Sequence, residues 1–210
     1  MRTRFYVASA LFVAGLLSSQ HTAVPLSAAE PLVGGGLARP SFVDGDVGFS
    51  PAIPDVLVYD QQGRRTRFHS DLIKGKTVAI NFIFTSCTTT CPPLTMAMRR
   101  IQRELADRIG RDIWLISVSV DPAVDRPERL QAFATSFGAG PGWTFVTGSQ
   151  GDIDRLLKAF GSYGGGIGAH STAMLIGNDR VGRWVRTNGL APVATNVKLI
   201  IEAARGSAGG

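Results

Sequence analysis

Apolar positions follow two periods along this chain, and the places where one gives way to the other mark its elements. In DVLVYDQQGRRTRF, Asp55 to Phe68, apolar residues alternate around a glycine turn, so Val56 to Tyr59 and Arg65 to Phe68 predict a β-hairpin or edge ribbon. Within KTVAINFIFTS, Val78 to Phe84 are apolar except for Asn81 and rich in β-branched and aromatic side chains, which suits a central strand buried on both faces. Leu94, Met98, Ile101, Leu105 and Ile109 then recur at helical spacing, behind Pro92 and Pro93, which fit only a first turn, where a missing N–H costs nothing. DIWLISVSV predicts a second buried strand. In DRPERLQAF, Asp125 is the expected N-cap and Glu128 its capping-box partner, with Leu130, Phe133 and Phe137 inward. WTFVT predicts a short strand and DIDRLLKAFG a short helix ending at Gly161. STAMLIG and GRWVRTNG predict two strands joined by an Asn178–Gly182 turn, and Pro192 to Arg205 a closing helix with Val193, Val197, Ile200 and Ile201 inward.

The order is a β-hairpin, then β-α-β-α-β-α, then β-β, then α. Alternating strands and helices imply a parallel sheet covered on both sides, and the late strand pair adds antiparallel members. The expected class is α/β, a thioredoxin-like fold whose central mixed sheet is flanked by helices, with an added N-terminal β-hairpin. There is no internal repeat, and YGGGIG, Tyr163 to Gly168, lacks the strand-to-helix context of a phosphate-binding loop.

Arg2 and Arg4 precede an apolar run, Phe5 to Leu17, whose 13 residues fall short of the roughly 20 a bilayer-spanning helix needs. Residues 1–29 are therefore expected to be an export signal or anchor, with cleavage before Glu30 as the first reading and an uncleaved anchor as the second. Residues 30–50 hold five glycines and no sustained period, the composition of a flexible linker, and 51–206 form the folded domain. The protein is expected outside the cytoplasm, in the periplasm, either soluble or held to the inner membrane by its N-terminal segment. The formal charge of +6 falls to +4 without Arg2 and Arg4, and the basic residues are scattered through helices with no aromatic stripe between them. That pattern describes a solvated surface and gives nucleic acid no footprint.

NFIFTSCTTTCPP holds both cysteines, Cys87 and Cys91. Cys91 precedes a proline and is expected as a helix N-cap, with Cys87 just past the end of the first buried strand, so both sulfurs lie at a helix N-terminus whose partial positive charge favours thiolate. A disulfide across three residues closes too small a loop to stabilise much, and a redox pair of the CxxC type has two intervening residues where this one has three. Two thiolates leave room for one ion and ask for a further ligand. Of the three histidines, His21 falls in the export segment and His69 at a hairpin end. His170 opens STAMLIG, which brings it to the sheet edge of the cysteines if that strand runs antiparallel. Asp121, at the end of the second buried strand, reaches the same edge as a supporting residue, while Met98 lies on the helix stripe and Met96 beside it is a weaker thioether candidate. Two soft sulfurs and one imidazole suit copper, above all copper(I), better than zinc, which takes four protein ligands in structural sites.

Three ordered motifs carry a family resemblance: NFIFTSCTTTCPP resembles a strand followed by CxxxCP, SVSVDPAVDRPERL an S-V-D-P-x-x-D-x-P segment, and HSTAMLIGNDRVGRW a metal-binding histidine followed by two strands. Together they resemble the SCO/SenC family, over about Pro51 to Arg205. The resemblance implies a thioredoxin-like domain on the outer face of a membrane that binds copper(I) or copper(II) through Cys87, Cys91 and His170, with Asp121 near the site. It implies delivery to the copper-receiving subunit of cytochrome c oxidase, at the dinuclear copper centre, with a thiol reductant keeping the cysteines reduced. One departure is Ala169, where an acidic or amide residue often precedes the histidine. The alternative is an enzyme, a thiol-disulfide reductase acting on the cysteines of that centre through Cys87 and Cys91. The wider cysteine spacing, and the lack of a proline opening STAMLIG, favour the metallochaperone.

Overall fold

The computed structural model describes residues 46–162 and 172–206. Among them eight strands, β1 (Asp46–Phe49), β2 (Leu57–Asp60), β3 (Arg65–Arg67), β4 (Thr77–Ile83), β5 (Ile113–Ser119), β6 (Trp143–Gly148), β7 (Ala173–Asn178) and β8 (Arg183–Asn188), join in one sheet of order β1-β8-β7-β4-β5-β6-β2-β3. Its helices are α1 (Cys91–Glu104), α2 (Pro127–Ser136), α3 (Gln150–Ala159) and α4 (Val193–Ala204). β4, β5 and β6 are parallel, whereas β7 runs antiparallel to β4 with Asn81 opposite Met174. The N-terminal hairpin extends the sheet through β2, which pairs with β6.

Every residue of β4 is buried, because both faces of the strand are covered. Ala79 and Ile83 meet Met98 and Ile101 of α1, Leu130 of α2 and Ile200 of α4. Val78, Ile80 and Phe82 meet Ile153 and Leu156 of α3, together with Phe68 and Ile73 of a π-helical turn, Phe68–Ile73. Each of the larger of these side chains contributes roughly 1.5–3 kcal/mol by leaving water, so the strand that leads to the cysteines is firmly anchored in the core.

Three local expectations change. The last part of the expected linker is β1, paired with Trp184–Arg186 of β8; four residues that follow Gly45 and include Gly48 carry too little periodicity to announce a strand. The helical spacing runs past the end of α1: Leu105 is its C-cap, and Ile109 reaches the core from outside the helix by bridging to Ile113, after which Gly110 turns the chain at φ 81°. The capping reading of Asp125 and Glu128 is also replaced. Arg126 is the N-cap of α2, without a side-chain bond, because the Asp125 carboxylate is drawn into the core. Among the described residues no helix is long and apolar enough to cross a membrane.

Candidate metal centre

The edge of the sheet where β4 and β5 end is where the chemistry collects. Val120 donates its N–H to Ile83 O at 2.9 Å, and the chain leaving β4 turns through Phe84–Thr90 into α1, with the Cys87 N–H on Phe84 O at 3.2 Å. Cys91 is the first residue of α1 and Thr90 its N-cap, one position earlier than expected, so the two prolines occupy the next two places, where no backbone donor is needed. The Cys91 N–H donates to Cys87 Sγ at 3.3 Å, and Thr89 Oγ1 stands 3.8 Å from the same sulfur. Both thiols are free of any disulfide, Cys87 at the rim with 9% of its surface exposed and Cys91 beneath it with 1%.

These positions set the two sulfurs apart. Burial opposes the anion at Cys87, but donors from the Cys91 backbone and thiol and from Thr89 outweigh it and bring the thiol down to about 7. At Cys91 burial dominates and pushes the thiol up to about 12; the N–H of Phe84 works against this, while the Cys87 sulfur and the Asp125 carboxylate add to it. The sequence expectation of two thiolates at a helix N-terminus therefore holds for Cys87 alone. A first-turn position helps only a sulfur that water or donors can reach.

Asp125 is the residue that the sequence reading placed in the wrong role. It is fully buried and accepts from the Thr85 N–H at 3.0 Å, the Thr85 hydroxyl at 2.5 Å and the Ser119 hydroxyl at 2.7 Å. Arg129 Nε donates to the same Thr85 hydroxyl at 2.7 Å, so Thr85, two residues before Cys87, is braced from both sides. The signal available in SVSVDPAVD was an acid four residues beyond Asp121 in a turn that begins on a buried strand. Asp121 lies at this edge as expected: it is 6% exposed, its N–H donates to Ser119 Oγ at 3.1 Å and its carbonyl accepts the Asp125 N–H at 2.8 Å. Among the described residues its carboxylate has no hydrogen-bond partner.

The other candidates separate. Met98 is wholly buried in the core, as its place on the stripe implied, and Met96 is exposed. His69 pairs with Asp179 at 3.2 Å, at the far end of the sheet where β7 stops. His170 lies outside the described residues. The antiparallel course of β7 does bring its first residues to the cysteine edge, where Thr172 O accepts the Gly189 N–H at 2.8 Å. Among the described residues no three His, Cys, Asp or Glu side chains form a metal-holding group, so the two thiols present a pair of soft donors open to a third.

The SCO1/SenC family profile matches residues 56–178, from the start of the hairpin to the end of β7. The chain belongs to the SCO1/SenC family. It is 40% identical over 105 residues to the SCO1 protein homolog of Bacillus subtilis (strain 168), an alignment covering 48% of this chain and 52% of that one. The chain spans about half the length of the curated relatives it matches. A SCO1/SenC family lipoprotein from Bacillus anthracis superposes with a TM-score of 0.65 and 26% identity, over 77% of this chain and 99% of that one. BsSco, described as a member of the Sco family of cytochrome c oxidase assembly proteins with a disulfide switch, superposes with a TM-score of 0.63 and 30% identity, over 78% and 98%. The fold is thus the thioredoxin-like α/β fold of this family, its central sheet flanked by helices.

Proposed function

We propose that this chain is a copper metallochaperone that binds copper through Cys87, Cys91 and His170 and delivers it to the dinuclear copper centre of cytochrome c oxidase. The observation that carries the reading is the pair itself: two free sulfurs joined by one N–H···S contact at the start of a helix, one of them at the rim of the core and partly thiolate near neutral pH. Copper(I) prefers soft donors at low coordination number, which two thiolates and an imidazole supply. Cys87 gives up its proton readily near neutral pH, and Cys91 gives up its proton as the metal takes its place. The buried Asp125 brace holds the Cys87 turn in position for this exchange. Asp121 supports the site from the same edge. The cargo is taken up outside the cytoplasm, with the N-terminal segment as signal or anchor, and a thiol reductant is required because a disulfide offers no thiolate.

The test is competition for copper(I) between a calibrated chelator and the reduced protein. One copper per chain is expected, with Cys87→Ala and Cys91→Ala each removing most of the affinity. His170→Ala should hold copper more loosely while keeping both thiols reactive. Undiminished affinity in either cysteine variant would place the site elsewhere.

The unequal thiols favour a second reading, a thiol-disulfide reductase. The Cys87 thiolate attacks one sulfur of a substrate disulfide, forming a mixed disulfide and releasing the other sulfur as thiolate. Cys91 then loses its proton and attacks Cys87 Sγ, so the Cys87–Cys91 disulfide forms, the substrate leaves as a dithiol, and two electrons have passed to it. Oxidase assembly that proceeds normally in His170→Ala, with copper affinity lost, would favour this reading over delivery.

A further inference from the structure

We propose that the end of the sheet opposite the cysteines carries a binding site for a phosphate-class oxyanion, built by Arg111, Arg180 and Arg205. A cavity of about 260 Å³ opens there, between the starts of β4 and β5, the turn after β7 and the end of α4. Its volume lies just under the roughly 300 Å³ at which small-ligand pockets begin, room for a phosphate with a short substituent. The three arginines that line it come from segments far apart in sequence and are gathered only by the fold.

Their charges are not spent inside the protein. Arg180 Nε donates to Gly75 O at 2.7 Å and an Arg111 guanidinium nitrogen to Asp107 O at 3.0 Å, so backbone carbonyls orient two of the forks without neutralising them. Among the described residues none of the three makes an ion pair with a carboxylate. Asp112, which also lines the cavity, is engaged by Arg108, and Asp179, next to Arg180, accepts from the Gly75 N–H at 2.7 Å and pairs with His69. A further cation, Lys76, stands over the Trp114 ring on the cavity wall, 5.3 Å from its centroid. Three like charges around one concavity repel one another, and a bound oxyanion reverses the sign of that energy. The guanidinium fork matches phosphate oxygens two at a time, which makes phosphate the fitting class.

The seven residues of β4 put roughly 20 Å between this end and the cysteine edge, so an anion here does not compete with copper. Two sources share the chemistry: a free phosphate compound, or the headgroup of an anionic phospholipid. The second would seat the domain on a membrane with its cysteine edge turned away from the surface.

The experiment uses the full chain in two arms. Inorganic phosphate is titrated in by calorimetry, with Trp114 fluorescence as a second signal and Trp114→Phe as its control. Separately, pelleting is compared on phosphatidylcholine vesicles with and without phosphatidylglycerol, and the difference is read, which removes whatever the apolar N-terminal run contributes to both. Arg111→Gln, Arg180→Gln and Arg205→Gln should each weaken binding roughly tenfold, the loss of one charge-assisted contact. Arg100→Gln, on the exposed side of α1, should leave binding unchanged, and copper(I) affinity should be unchanged in all four. Variant-sensitive binding in the phosphate arm supports the site with a free ligand; in the vesicle arm, with a headgroup. Saturable binding in neither arm, or losses equal to that of Arg100→Gln, would overturn it.

Discussion

Cys87 and Cys91 sit one hydrogen bond apart and yet differ in acidity by the width of the neutral-to-alkaline range, because one is at the rim with donors around it and the other is beneath it in the core. Alkylation of the reduced protein should therefore proceed at Cys87 with a rate that rises with pH to half its maximum near pH 7, while Cys91 stays silent until strongly alkaline pH. Peptide mapping of singly alkylated protein checks this, and equal labelling of the two at pH 7 would contradict the geometry. Asp125 gives a second residue-scale expectation. Asp125→Ala leaves the Thr85 N–H and the Ser119 hydroxyl without their buried acceptor, and should lower stability by about 3 kcal/mol in urea unfolding. Asp121→Asn, in contrast, should leave stability nearly unchanged and weaken copper(I) by roughly 10–100-fold, the usual scale for a residue that supports metal ligands.

At the scale of elements, the sheet depends on how closely β7 and β8 are laid together. Gly177 faces Trp184 across the pair, and a β-carbon added there would come within 2.3 Å of the indole ring, far inside van der Waals contact. That ring is held against Phe160 and is 4% exposed, so it has little room to retreat. Gly177→Ala should cost about 2 kcal/mol by overpacking, read as a lowered denaturation midpoint with unchanged m-value. A variant as stable as the parent would mean that the indole moves freely.

For the whole molecule, the two cysteines make stability depend on pH in opposite directions. Cys87 has a folded value of about 7, below the ordinary 9.0, so the stability it contributes is full above pH 9 and is lost as pH falls through 7. Cys91 has a folded value of about 12, above 9.0, so its contribution is full below pH 9 and is lost as pH rises toward 12. The stability difference between the reduced protein and the Cys87→Ala/Cys91→Ala variant should therefore peak near pH 9 and fall on both sides, further along the alkaline arm because the Cys91 shift is the larger. Urea midpoints measured across pH test it; a flat difference would mean that folding shifts the acidity of neither thiol.

What the sequence determined by itself was what depends on local pattern. A mostly apolar run gave β4, a 3.6-residue stripe gave α1, and two cysteines ahead of two prolines had to fall at the start of that helix, because proline fits only its first turn. Only the tertiary structure decided what depends on neighbours distant in the chain. Asp125 looked like a cap because a cap is the local use of an acid before a helix, and it became a buried brace because Thr85, 40 residues away, brings it donors. Cys91 was expected as thiolate from its helix position, but the layers of side chains over it remove the water a thiolate needs. The Arg111, Arg180 and Arg205 cluster has no sequence signal at all: its members read as scattered solvated charges, and they face one cavity only because the start of β5, the turn after β7 and the end of α4 meet at the same end of the sheet. Periodicity reports which face of an element is buried, whereas charge and acidity are set by what the fold places opposite that face.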